Sequence, residues 1–65
     1  MHPNLTTLKL AYTVREAANL LSLSRSLVYE LINAGKIDTI KIGRARRITA
    51  KQLADYVTAR EREVA

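Results

Sequence analysis

Cysteine is absent from the 65 residues, so neither disulfides nor a thiolate zinc site can reinforce the fold. The single histidine, His2, lies near the start, away from every segment with a structural period. With no cysteine nucleophile or ligand, and with Glu16 and Asp55 on helices that offer no acid–base partner, no catalytic constellation is visible. Neither a metal nor a cofactor is expected, and the chain does not read as an enzyme. No apolar run approaches the roughly 18–20 residues of a membrane span. The start, MHPNLTTLKL, lacks the basic-then-apolar plan of a signal peptide, so the expected compartment is the cytoplasm.

What is present is a small core and an excess of positive charge. A chain this short buries only about 60% of the surface it exposes when unfolded. Eleven Lys and Arg against six Asp and Glu give a formal charge of +5. Lys36, Lys41, Arg44, Arg46, Arg47 and Lys51 fall within sixteen residues that hold one acid, Asp38. Charge gathered this way suits a polyanion, although a solubilising face has the same composition.

The sequence around this cluster breaks into short elements. Residues 1–10 have no helical period and read as a flexible arm, extended at most over Leu8 to Leu10, with Lys9 free to meet a phosphate. Thr13-Val14-Arg15-Glu16 is a capping box, and Val14, Ala17, Ala18 and Leu21 supply an apolar face, which predicts a helix over 14–21. The paired alanines permit close approach of a second helix. Ser22-Leu23-Ser24 is a tight turn, with Leu23 plugging the angle between helices. Ser24 then caps a helix over 25–34 that Gly35 stops. Val28, Leu31 and Ile32 form its apolar face with Leu27 at the edge, and Leu31 is the expected centre of the core.

Two helices across so short a turn form a helix-turn-helix, the second being the candidate recognition helix; an αα-hairpin of purely structural purpose fits these residues equally well. Ser26, Tyr29, Glu30 and Asn33 point away from the apolar stripe with Arg25 beside them, and Ser24, Arg25, Ser26 and Tyr29 lie toward the N-terminal end, where helix dipole and free N–H groups favour phosphate. After Gly35 the period shortens. Ile40 and Ile42 alternate, Gly43-Arg44-Ala45 interrupts, and Arg46-Arg47-Ile48 resumes, which predicts a hairpin over about 39–48. A three-residue loop, 43–45, keeps the isoleucines on the core side and sets Lys41 opposite Arg47; a two-residue loop pairs Ile40 with Arg47 and mixes the faces. The three-residue register is therefore expected. A second capping box, Thr49-Ala50-Lys51-Gln52, opens a last helix over 50–61, with Leu53, Tyr56 and Val57 in its stripe and a frayed tail at 62–65.

The fold class expected is mainly α with a small β-hairpin, a winged helix-turn-helix over 11–61. From Tyr12 to Leu53 the chain resembles the excisionase and MerR-like DNA-binding family, in Thr13, Glu16, Ala17-Ala18, Ser24-Arg25-Ser26, Val28-Tyr29, Gly35-Lys36-Ile37 and the run Ile42 to Arg47. The resemblance implies that Ser24, Arg25, Ser26 and Tyr29 approach the major groove, and that Arg44, Arg46 and Arg47 reach backbone or minor groove. Leu27 stands where the family more often has a small polar residue. MerR-type regulators continue into a coiled coil and an effector domain, for which 65 residues leave no room. The resemblance therefore implies an excisionase in a bacterial host cell. Such a protein binds and bends attachment-site DNA, often in cooperative arrays, and directs a site-specific integrase toward excision. A small phage-type transcriptional regulator is the alternative, and an antitoxin-like protein-interaction module is a third reading.

Overall fold

A computed structural model describes residues 9–64. Residues 1–8 of the arm expected over 1–10, and residue 65, lie outside it. The element order is β1 (Ala11–Tyr12), α1 (Val14–Leu21), α2 (Arg25–Asn33), β2 (Ile40–Ile42), β3 (Ala45–Thr49) and α3 (Ala50–Val64). Three helices and a three-stranded antiparallel sheet, ordered β1-β3-β2, form a winged helix-turn-helix.

Local chemistry sets the helix boundaries. In α1 the Thr13 hydroxyl accepts from the Glu16 N–H at 3.0 Å, and the Glu16 carboxylate accepts from the Thr13 N–H at 2.9 Å. Lys9 also pairs with Glu16, and this contact, with the Thr13 N–H, holds the carboxyl below its ordinary range. Lys9 is thus engaged within the fold. The helix ends at Ser22, a non-glycine residue in the left-handed region with φ 58° and ψ 40°. There the Leu23 N–H donates to the Ala18 carbonyl at 2.9 Å.

Helix α2 begins with the Ser24 hydroxyl accepting from the Leu27 N–H at 3.1 Å. It ends in a Schellman arrangement: Gly35, at φ +76°, donates to the Ile32 carbonyl at 3.0 Å and Lys36 donates to Leu31 at 2.8 Å. The second capping box opens α3, with Thr49 and Gln52 exchanging bonds of 2.9 and 3.0 Å. Helix α3 then runs to Val64 rather than stopping at 61. Alternating charge does not break a helix whose residues have good helix propensity, and the Arg60–Glu63 pair one turn apart supports this end.

The core is formed by Val14, Ala17, Ala18, Val28, Ile37, Ile48 and Leu53, drawn from all three helices, β3 and the loop before β2. Val28, Ile37 and Ile48 are its largest fully enclosed side chains, at 0%, 2% and 0% exposure. Leu31, expected at the centre, is only half-buried. It lines an open hollow of about 300 Å³ between α2 and α3, together with Leu23, Leu27, Lys36, Tyr56 and Arg60. The helix face is correct, but its centre is Val28.

The hairpin register also differs from expectation. The loop has two residues, Gly43 and Arg44, and the pairs are Ile40 with Arg47, Lys41 with Arg46 and Ile42 with Ala45. Gly43 has φ +62° while Arg44 stays at negative φ, the signs of a II′ turn, whose twist matches that of the flanking strands. Turn geometry prevails over the apolar pattern because the core does not need Ile40 or Ile42. Ile48 pairs with Tyr12 of β1 and, with Ile37, closes the core. Lys41 therefore faces Arg46, not Arg47, and the two isoleucines point away from the side that buries Ile48.

Candidate nucleic-acid interface

Helix α2 is anchored by Val28 in the same core as Ile48 of β3, so one buried cluster fixes both the second helix and the wing. Above that anchor Arg25, Ser26, Tyr29 and Asn33 are exposed, Tyr29 by 50%. The Ser24 oxygen accepts the cap bond, and its O–H remains a donor at the helix N-terminus. The second helix thus presents a guanidinium, two hydroxyls, a phenol, a carboxamide and the carboxylate of Glu30 to solvent.

The wing divides into two faces. Lys41 and Arg46 lie together on one, where an Arg46 guanidinium nitrogen donates to the Thr39 hydroxyl at 3.0 Å. Arg47 lies on the other, opposite Ile40, and its guanidinium donates to the Arg46 carbonyl at 2.8 Å. Arg44 occupies the turn, and Lys36 follows the cap of α2. Among the described residues, ion pairs form at Lys9–Glu16, Lys51–Asp55 and Arg60–Glu63. Lys36, Lys41, Arg44, Arg46 and Arg47 take part in none of these, whereas Lys51 is matched by Asp55. Cations left unmatched beside an exposed polar helix can neutralise phosphates.

Residues 11–61 match the family described as helix-turn-helix domain. The chain belongs to that family. It is a DNA-binding helix-turn-helix domain, its second helix α2 and its wing the β2–β3 hairpin.

Two curated proteins are similar to this domain. A "Probable excisionase" of Saccharopolyspora erythraea is 46% identical over 44 residues, covering 68% of this chain and 45% of that protein. The "Uncharacterized protein YvgK" of Bacillus subtilis (strain 168) is 38% identical over 48 residues, covering 74% of this chain and 16% of that protein. The chain thus spans less than half the length of either relative. No solved structure matches it significantly.

Sequence reasoning missed four features around the interface. Strand β1 is two residues long and has no period to reveal it. Thr39, the hydroxyl that orients Arg46, becomes visible only once the register is known. The exposed isoleucines of the wing depend on the same register. The Lys51–Asp55 pair had a signal, its i,i+4 spacing, which would have removed Lys51 from the basic cluster.

Proposed function

We propose that this domain is the DNA-reading part of an excisionase. In this reading Ser24, Arg25, Ser26, Tyr29 and Asn33 enter the major groove, while Lys36, Lys41, Arg44, Arg46 and Arg47 hold the flanking backbone. The observation that carries it is the set of five cations, from the end of α2 through the wing, that form no ion pair among the described residues and lie next to an exposed polar helix face. The likeness to the Saccharopolyspora protein supports the excisionase role.

Phosphate contacts provide most of the affinity, and base-edge contacts from α2 set preference. In this reading Arg25 forms a bidentate contact with guanine. Bound to attachment-site DNA in the bacterial cytoplasm, alone or as neighbouring copies on one site, the domain bends the duplex. A partner site-specific integrase then runs toward excision.

An excision assay with purified integrase and attachment-site DNA tests this. Product that appears only when the chain is added supports the role. DNA binding without any effect on excision returns the reading to a small MerR-like or phage-type transcriptional regulator.

A further inference from the structure

The two-residue turn leaves the outer face of the wing apolar. Ile42 is 59% exposed and sits opposite Ala45 in the last pair before the turn; Ile40, 37% exposed, lies two residues earlier. Neither supports the core, which Ile37 and Ile48 complete without them. Around this apolar tip stand Arg44 in the turn, Arg47 beside Ile40, and Lys41 with Arg46 on the reverse face, none of them in an ion pair among the described residues.

A tip of this kind fits a particular surface. Its four cations repel a second copy of the chain, which carries a formal charge of +5. They fit a polyanion that has an apolar interior between two rows of charge. Duplex DNA offers that in its minor groove, where sugar walls and stacked base faces lie between phosphate strands.

We infer that Ile42 is a wedge. The wing enters the minor groove tip first and Ile42 presses between adjacent base pairs. Ile40 then lies along the sugars, and Arg44, Lys41, Arg46 and Arg47 hold phosphates on either side. Apolar side chains inserted in this way partly unstack a step and kink the duplex toward the major groove. Pyrimidine–purine steps, TA and CA/TG, unstack most readily, so the wing selects sequence without a hydrogen bond to any base. This rests on the DNA-binding reading of the wing and gives the proposed bend a physical cause.

The test uses the full chain and mixed-sequence duplexes, each with one 2-aminopurine in a TA or CA step at a different position, titrated at about 0.1 M salt. Unstacking raises the fluorescence of that base. The wild-type chain should raise it severalfold at one position and little elsewhere. Ile42→Ser should keep binding within about threefold and lose the rise, while Ile42→Leu should keep both. Arg44→Ala should weaken binding by about eightfold, one phosphate contact at this salt. Because Ile42 lies outside the core, thermal melts of the Ile42 variants should match wild type.

Three results would overturn the inference. In the first, wild type binds every duplex but no position brightens. In the second, the rise survives Ile42→Ser. In the third, Ile42→Ser abolishes a self-association seen by sedimentation and lowers DNA binding more than tenfold with it, which makes this face a contact between copies. Failure of the wild-type chain to bind any duplex is a different outcome, since it removes the DNA-binding reading along with the wedge.

Discussion

Arg46 and Arg47 are neighbours in sequence, yet the register gives their loss opposite consequences for stability. Arg46 stands directly opposite Lys41, with both side chains exposed. Like charges at such a pair cost about 0.2–1 kcal/mol. Coulomb's law in water agrees, giving about 0.8 kcal/mol at 5 Å before screening. Against this stands one exposed hydrogen bond to Thr39, at the low end of the usual net value of about 0.5–1.5 kcal/mol. The repulsion is screened by salt and the hydrogen bond is not, so salt decides the sign.

At about 10 mM salt Arg46→Ala should raise Tm by roughly 1–2 °C, the shift for the remaining about 0.3 kcal/mol in a domain this size. That gain should shrink to zero or reverse by about 0.5 M. DNA affinity should fall meanwhile by about eightfold at 0.1 M, with the salt slope shallower by about 0.9. Arg47 is half-buried opposite Ile40, so Arg47→Ala removes a methylene stem from beside an apolar residue and should lower Tm at every salt. Melts in three salts and one binding titration per variant give all the signs. Should Arg47→Ala be the variant that gains stability at low salt, Lys41 faces Arg47, the loop has three residues, and the reasoning about the wing fails.

The remaining predictions concern charge, strain, core and pH. Five phosphate contacts imply a log–log salt slope near −4.5, and Lys51→Ala should leave it almost unchanged because Asp55 already matches Lys51. Ser22→Gly should stabilise by up to about 1 kcal/mol, seen in urea melts, since glycine holds the left-handed conformation without a Cβ clash; an unchanged midpoint means Ser22 carries no strain. Ile48→Ala should cost about 2–5 kcal/mol, enough to unfold a domain this small, whereas Leu31→Ala, at a half-buried position, should cost clearly less by the same assay. Glu16 has a lowered folded pKa, so its stabilisation is present above the unfolded carboxyl pKa and is lost as pH falls through the folded one; Glu16→Gln should be less stable than wild type at neutral pH and converge with it in acid.

How much of this could be read from the chain depended on how local each determinant is. Helix α1 is legible to the residue, because a capping box at Thr13 and an apolar face at Val14, Ala17, Ala18 and Leu21 act within two turns. The caps of α2 and α3 are legible for the same reason. The register is not, because it depends on β1. Until Tyr12 is known to pair with Ile48, the isoleucines of β2 seem necessary to the core, and the pattern argues for the wrong loop. Leu31 fails similarly: its face is set by helical spacing, but its burial depends on how far α3 stands from α2.

The candidate site was legible in its residue types and not in its charge balance, and the balance is what makes it a site. Of the six acids in the chain, Glu16 is engaged by Lys9 and the first cap, Asp55 by Lys51, and Glu63 by Arg60. Each of those contacts lies outside the segment from Lys36 to Arg47. Three of the eleven basic residues are thereby matched away from the wing, and five inside that segment form no ion pair among the described residues. A formal charge of +5 spread over the surface would only keep the domain soluble. With three acids engaged elsewhere and Asp38 the one acid inside the segment, five cations concentrate the positive potential on one hairpin and the helix end beside it. In the free domain Lys41 and Arg46 are held in mutual repulsion, which a phosphate placed between them would relieve.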